Sequence, residues 1–133
     1  MAERRAVSSG AVWEELAGYA RAVRVGNQIW VSGTVASGVD GPVGVGDPAA
    51  QVHFIVDKIE AALVHLGSQL SHVVRTRMFV SDMAHWEAVA RAHGARFGHI
   101  RPATTLVEAR LIGPAYLVEI EAEAVIASDG DPT

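Results

Sequence analysis

The 133-residue sequence contains no cysteine, few aromatic residues and no excess of basic residues. Without cysteine the chain can form no disulfide, use no thiolate nucleophile and offer no sulfur ligand to zinc. Aromatic residues make up only 6% of the chain, whereas 50% of the residues are hydrophobic. The core of the protein must therefore be built mainly from Val, Ala, Leu and Ile.

Charge and hydropathy also limit the partners of this protein. The chain has 11 Lys and Arg residues against 15 Asp and Glu residues, a formal net charge of -4, which argues against a nucleic-acid partner. No segment approaches the roughly 18 consecutive apolar residues of a membrane span, and the first residues lack the apolar stretch of a signal peptide. We therefore expect a cytoplasmic protein with no membrane partner.

A chain of this length fits one domain, because a single core stays efficient up to roughly 250 residues. We expect one domain over residues 1–133, with flexible ends at residues 1–12 and 127–133.

Two segments have the apolar spacing of helices. In the first, Asp47 is placed to cap the amino end, Pro48 to occupy the first helical position and Gly67 to end the helix. Its apolar positions are Val52, Ile55, Val56, Ile59, Leu63 and Leu66. The second helix is predicted over residues 84–97, with one face formed by Trp86, Val89, Ala90, His93 and Phe97.

Strand patterns lie before, between and after these helices. They cover residues 21–26, 28–34, 73–82, 104–111 and 116–126. This order predicts an α+β fold in which two helices cover one face of a mixed sheet. The glycine-rich segment 36–47 is interpreted as a loop, because it lacks the lysine and further glycines of a phosphate-binding motif.

The uncovered sheet face is predicted to be charged. Glu119, Glu121 and Glu123 alternate with apolar residues on the last strand, and Arg75 and Arg77 alternate in the same way on the middle strand. If these strands are neighbours, the arginines and glutamates can pair across the sheet. Such a face is either exposed to solvent or lines the interior of an oligomer.

The six histidines include no pair at i, i+4 on a helix and no His-x-His on a strand, so no metal site is expected.

Six segments, in this order and spacing, resemble the Rid family, also called the YjgF or L-PSP endoribonuclease family. They are GYARAV (18–23), GNQIWVSGT (26–34), Asp47 with Gln51, VVRTRMFVSDMAHW (73–86), RPATTLVEARL (101–111) and VEIEAEA (118–124).

The resemblance implies a chorismate-mutase-like α+β fold and a homotrimer whose sheets form a central barrel, with clefts between the subunits. It also implies hydrolysis of reactive enamines or imines, such as 2-iminobutanoate, to 2-oxo acids and ammonia. No metal or organic cofactor is implied, and the partners are a small-molecule ligand and further copies of the chain.

The same resemblance implies candidate site residues. Tyr19 corresponds to a tyrosine that faces the cleft, Ser32 and Gly33 to the backbone that cradles the ligand, and Glu119 to the acid that orients water or protonates nitrogen. Thr104 stands where deaminating members have an arginine, so the two parallel hydrogen bonds that a guanidinium gives a carboxylate are lost.

Arg101 is the nearest replacement for that arginine. It lies three residues before Thr104 and directly before Pro102, and an odd offset along a strand turns a side chain to the opposite face. Arg101 therefore either reaches the cleft or pairs with a glutamate at the surface.

Three functions are consistent with the sequence. The first is a Rid-type enzyme that acts on an imine, an enamine or a related carboxylate-bearing metabolite with altered specificity. The second is a non-catalytic trimer that binds a small molecule. The third, ribonuclease or translation-inhibitor activity, fits poorly with the acidic charge balance.

Overall fold

The computed structural model describes residues 3–127. Three helices lie in this range: α1 (Val12–Ala17), α2 (Pro48–His65) and α3 (Trp86–Phe97). The strands in this range are β1 (Arg4–Val7), β2 (Ala22–Val25), β3 (Gln28–Thr34), β4 (Ser37–Gly38), β5 (Gly41–Pro42), β6 (Val73–Val80), β7 (Ala103–Glu108) and β8 (Val118–Val125). Short 3₁₀ turns precede β6 (Leu70–His72) and α3 (Met83–His85).

Six strands form one sheet in the order β1-β2-β3-β8-β6-β7. The β6 and β7 pair is parallel and the other pairs are antiparallel, so the sheet is mixed. Strands β4 and β5 form a separate small hairpin within the glycine-rich segment that the sequence assigned to a loop. The predicted α+β fold with a mixed sheet is confirmed.

The core lies between the sheet and helices α2 and α3. Alternate residues of β8 face the helices, and Val118, Ile120, Ala122 and Ala124 are all buried there. Helix α2 supplies the other side of the core through the buried residues Val52, Ile55, Val56, Ile59 and Leu63. The apolar spacing read from the sequence therefore marks the faces that pack together.

Both ends of α2 agree with the sequence prediction. The Asp47 carboxylate accepts a hydrogen bond from the Ala50 amide at 3.0 Å, and Pro48 occupies the first helical position. Gly67 follows the helix with φ of 85°, a conformation that favours glycine. Gln51 is fully buried and joins α2 to the segment before β8, donating to the Ala115 carbonyl and accepting from the Leu117 amide, each at 2.8 Å.

The predicted face of the second helix needs one correction. The sequence predicts Trp86 on the same face as Val89 and Phe97, but Trp86 begins α3 directly after a 3₁₀ turn and is 50% exposed. Ala92 joins Val89, His93 and Phe97 on the buried face, because these positions recur at three- and four-residue spacing.

The amino-terminal region also differs from the expectation of a flexible end at residues 1–12. Residues 4–7 form β1, which pairs along its whole length with β2, and residue 12 begins α1. The sequence signal for β1 is weak because the strand is short and mostly exposed at the edge of the sheet. The other end that the sequence predicts to be flexible is residues 127–133, and residues 128–133 of it lie outside the described residues.

The sheet face opposite the helices is charged, as predicted. In the antiparallel β6–β8 register Arg77 is opposite Glu121, and its guanidinium lies 3.0 Å from that carboxylate and 3.2 Å from the carboxylate of Glu123. Arg75 donates to the Thr105 hydroxyl at 3.1 Å.

No helix within residues 3–127 combines the length and hydrophobicity that crossing a bilayer requires.

Candidate functional site

A cavity of about 260 Å³ opens beside the ends of β3 and β8. Its wall combines two aromatic rings, several apolar side chains and three charged groups. The lining residues are Ala11, Trp13, Ala17, Tyr19, Arg21, Gly33, Val35, Lys58, Ile112 and Glu119. A depression of about 770 Å³ lies nearby over the glycine-rich segment, but the charged side chains in its lining are only Asp40 and Lys58. The smaller cavity has the groups that catalysis or specific binding needs, and it is the candidate site.

A β-bulge shapes this cavity. Along β3 the partner on β8 changes from Ala122, opposite Val31, to Ile120, opposite Thr34, so β3 carries one extra residue. Gly33 lies in the bulge beside the Glu119 carboxylate. A Cβ atom at position 33 would lie 2.6 Å from Glu119 Oε2, so only glycine leaves room for this carboxylate in its present position.

Glu119 is half-buried, and this changes its acidity. Burial raises the pKa of the Glu119 carboxyl above its ordinary value, the Arg21 guanidinium partly offsets that rise, and the Glu121 carboxylate adds to it. The Glu119 side chain makes no hydrogen bond to another side chain or backbone group within residues 3–127. Its carboxyl group is therefore available to a molecule in the cavity, and its proton is retained to a higher pH than that of an exposed glutamate.

Arg21 also lines the candidate cavity, although the sequence did not point to it. It is 4% exposed, and its guanidinium donates to the Gly33 carbonyl at 2.6 Å and the Thr34 hydroxyl at 3.0 Å. It also donates to the Ser9 hydroxyl at 3.3 Å and lies over the Tyr19 ring at 5.6 Å from the centroid. Arg21 thereby holds the bulge beneath Glu119 against the segment that precedes β2.

The partner of Arg21 is a buried carboxylate. Glu14 of α1 is 5% exposed and lies 3.4 Å from the Arg21 guanidinium. Burial acts to raise the pKa of Glu14, but hydrogen bonds from Ser9 and Ser8 together with the Arg21 charge more than offset this, and the pKa is lowered. Glu14 is thus ionised, and helix α1 is attached to the sheet through a charged pair.

Three of the six predicted site residues meet in the cavity: Tyr19, Gly33 and Glu119. Ser32 does not line it, because its hydroxyl donates to the Ala20 carbonyl at 2.7 Å and its residue faces the groove that contains Arg77 and Glu121. Ser32 thus fixes the backbone between β2 and β3.

Arg101 and Thr104 lie outside this cavity in the single chain. Arg101 is exposed, and its backbone amide donates to the Phe97 carbonyl at the end of α3. Its φ of 58° is uncommon for a residue other than glycine. Thr104 is exposed on the edge strand β7, and its hydroxyl lies 2.8 Å from the hydroxyl of Thr76.

Thr104 is the outer end of a hydrogen-bonded chain that begins at a buried histidine. His93 Nε2 lies 2.8 Å from the Thr76 hydroxyl, and the His93 ring packs 4.7 Å from the Phe97 ring. Burial lowers the pKa of His93 below its ordinary value of 6.5. The folded protein therefore favours neutral His93.

We predict that this histidine makes folding sensitive to acid. Well above pH 6.5 His93 is neutral in both states. As the pH falls through that value the unfolded chain is protonated first, so stability falls until the lowered folded pKa is passed. One proton contributes at most about 1.4 kcal/mol per pH unit. The free energy of unfolding in urea should differ less between pH 7.5 and pH 5.0 for His93→Gln than for the unchanged protein. Equal differences would show that His93 does not titrate in this way.

Within residues 3–127 the His, Asp and Glu side chains form no group of three or more that is arranged to hold a metal ion.

The sequence matches one protein family over most of its length. The family model for endoribonuclease L-PSP matches residues 11–126. An uncharacterized protein of Streptomyces coelicolor, SCO2049, is 38% identical over 121 residues, which cover 90% of each chain. The 3-aminoacrylate deaminase RutC of Acinetobacter baylyi is 32% identical over 110 residues, covering 82% of this chain and 87% of its own.

Solved structures give the same result. Rv2704 of Mycobacterium tuberculosis, described as a member of the YjgF/YER057c/UK114 family, is 45% identical with a TM-score of 0.85, covering 93% of this chain and all of its own. TM0215 of Thermotoga maritima, described as a putative endoribonuclease, is 27% identical with a TM-score of 0.78, covering 92% of this chain and 93% of its own. The chain therefore belongs to the endoribonuclease L-PSP family, also called the YjgF or Rid family.

Proposed function

We propose that this protein hydrolyses a small imine or enamine to a carbonyl compound and ammonia. The observation that carries the proposal is the Glu119 carboxyl group, which lines a cavity large enough for a small metabolite, makes no side-chain hydrogen bond within residues 3–127 and has a raised pKa. The similarity to a 3-aminoacrylate deaminase supports the same class of reaction.

The chemistry needs a proton donor next to the nitrogen of the substrate. Water adds to the imine carbon, and protonated Glu119 donates a proton to the nitrogen as the C–O bond forms. The Glu119 carboxylate then accepts the proton that the added water gives up and passes it to the nitrogen. Ammonia leaves as the C–N bond breaks, and the hydroxyl group returns its proton to Glu119 as the carbonyl group forms. A positioned acid of this kind contributes about 10² to 10⁴ in rate.

The reaction is proposed to occur in clefts between the subunits of a homotrimer. The charged sheet face supports an assembly, because it bears the exposed Trp30 and because Arg75 Nε is buried without a hydrogen-bond partner within residues 3–127. In such a trimer the edge strand β7 of a neighbour would bring Arg101 and Thr104 towards the cavity, which they do not line in their own chain.

Assembly is tested by sedimentation equilibrium at micromolar concentration. We expect about 42 kDa, three times the 14.1 kDa of one chain. A monomer or a dimer would contradict the proposed clefts.

Activity is tested by generating 2-iminobutanoate with an amino-acid oxidase or dehydratase and following the formation of 2-oxobutanoate with and without the purified protein. We expect acceleration, but less than with a relative that has arginine at the position of Thr104, because a single hydroxyl replaces a bidentate guanidinium. Thr104→Arg should increase the rate. If neither protein accelerates hydrolysis of 2-iminobutanoate or of an enamine such as 3-aminoacrylate, the cavity serves binding alone.

A further inference from the structure

Lys58 is the only lysine in the sequence, and it lines the candidate cavity. It projects from α2, and its Nζ atom donates to the Ser37 carbonyl at 3.1 Å. An ammonium group has three N–H donors. One donor is therefore satisfied by backbone, and no other hydrogen bond of Lys58 is formed within residues 3–127, so two donors remain for a ligand.

The other cation in the cavity wall is already fully engaged. Arg21 directs its guanidinium to the Gly33 carbonyl, the Thr34 hydroxyl and the Glu14 carboxylate, and it is 4% exposed. It cannot turn to a ligand without leaving Glu14 buried and unpaired. Lys58 is thus the cation of this cavity that is able to bind an anion.

The electrostatic surroundings of Lys58 also favour an anion. Burial lowers the pKa of its ammonium group, the nearby Arg21 charge lowers it further, and Glu14 offsets this only in part. An anionic ligand beside Lys58 would supply the negative charge that the protein itself does not provide in full.

We propose that Lys58 binds the carboxylate of a small substrate in this cavity while the reacting carbon of the substrate faces Glu119. The cavity has a volume of about 260 Å³, and Trp13, Val35 and Ile112 form an apolar wall, so it fits the short imino or enamino carboxylate of the proposed function. The orientation of the reacting carbon towards Glu119 rests on the proposed hydrolysis, whereas the contact between Lys58 and the carboxylate does not. Lys58 thus supplies a positive charge for the carboxylate, which Thr104, at the position of the family's arginine, cannot supply.

The test measures binding of 2-oxobutanoate, the product of 2-iminobutanoate hydrolysis, and of its neutral amide, 2-oxobutanamide, by isothermal titration calorimetry. A hydrogen bond to a charged group contributes enough for a change of about tenfold or more in Kd. We expect the acid to bind at least about tenfold more tightly than the amide, and Lys58→Met to abolish this preference without weakening the amide. Lys58→Arg should retain it.

Arg91→Gln is the matched control, because it removes one positive charge from an exposed pair with Glu87 on α3 and leaves the cavity unchanged. The circular dichroism and sedimentation of each variant should match those of the unchanged protein. Equal binding of acid and amide by the unchanged protein would overturn the proposal, as would an acid Kd that Lys58→Met does not alter. Loss of both ligands in Lys58→Met and Lys58→Arg would also overturn it, since the charge would then not be the cause.

The hydrolysis assay separates this inference from the proposed function. If the unchanged protein binds 2-oxobutanoate through Lys58 but does not hydrolyse imines or enamines, the carboxylate contact stands and the proposed function fails. If it hydrolyses 2-iminobutanoate and Lys58→Met leaves kcat/KM unchanged, the proposed function stands and the role of Lys58 fails.

Discussion

Replacing Glu119 with glutamine is expected to lower kcat/KM for imine hydrolysis by about 10²- to 10⁴-fold, the usual contribution of a positioned general acid. Glutamine keeps the size and the hydrogen-bonding capacity of the protonated side chain but cannot release a proton. The measurement is the coupled 2-oxobutanoate assay, together with calorimetry of 2-oxobutanoate binding. Binding should persist in Glu119→Gln, because the proposed carboxylate contact is made by Lys58.

The same substitution should stabilise the protein at neutral pH. Because the folded pKa of Glu119 is raised above its unfolded value, ionisation costs more in the folded state, and stability is lost as the pH rises through the folded pKa. Glutamine removes that cost. We expect a higher Tm for Glu119→Gln than for the unchanged protein at pH 8, and no such difference at pH 3.

Glu87→Gln provides the control, since Glu87 is an exposed carboxylate paired with Arg91 on α3. Its effects on rate and Tm should be small, because exposed ion pairs contribute about 0 to 1 kcal/mol. A Glu119→Gln variant that retains full activity would rule out Glu119 as the proton donor. A variant that has lost both activity and stability would show instead that the carboxylate supports the fold.

The sequence predicted those parts of the fold that have strong local patterns. The apolar spacing of residues 52–66 and the Asp47-Pro48 start determine α2, and the alternation of residues 118–124 determines both faces of β8. The pairing of Arg77 with Glu121 and Glu123 also follows from alternation once the two strands are neighbours. Such features depend on residues that are close in sequence or in register.

The features that the sequence missed depend on tertiary contacts. Strand β1 is four residues long and largely exposed, so its pairing with β2 leaves little trace in its composition. The bulge at Gly33 becomes meaningful only when β8 brings Glu119 beside it. Tyr19, Gly33 and Glu119 were predicted for the site through a family resemblance, and the cavity brings the three together.

Arg21 is the clearest case of a residue whose role depends on tertiary contacts. It lies within the GYARAV segment that carries the family resemblance, but in the sequence it reads as one arginine among ten. Its acceptors lie up to 13 positions away along the chain, on α1, on β3 and in the segment between β1 and α1. The only local signal of a buried pair is that Arg21 directly precedes the apolar start of β2 and lies seven residues after Glu14.

Arg21→Met is therefore expected to destabilise the protein by about 3 to 5 kcal/mol, because it leaves the Glu14 carboxylate buried without its cationic partner. The Gly33 carbonyl and the Thr34 hydroxyl lose a donor at the same time. Urea unfolding should be compared at one protein concentration, since the stability of an oligomer depends on concentration. Arg91→Met, which breaks an exposed pair, should cost about 0 to 1 kcal/mol.

A double-mutant cycle separates the ion pair from the other contacts of Arg21. Glu14→Gln alone leaves the guanidinium buried and should also be costly, whereas Arg21→Met combined with Glu14→Gln removes both charges together. The double variant is expected to lose less free energy than the sum of the two single variants, with a coupling of about 0.5 to 3 kcal/mol. Strict additivity would mean that the two charges do not stabilise each other. The other contacts of Arg21, with Gly33, Thr34, Ser9 and Tyr19, would then account for its burial beneath the site.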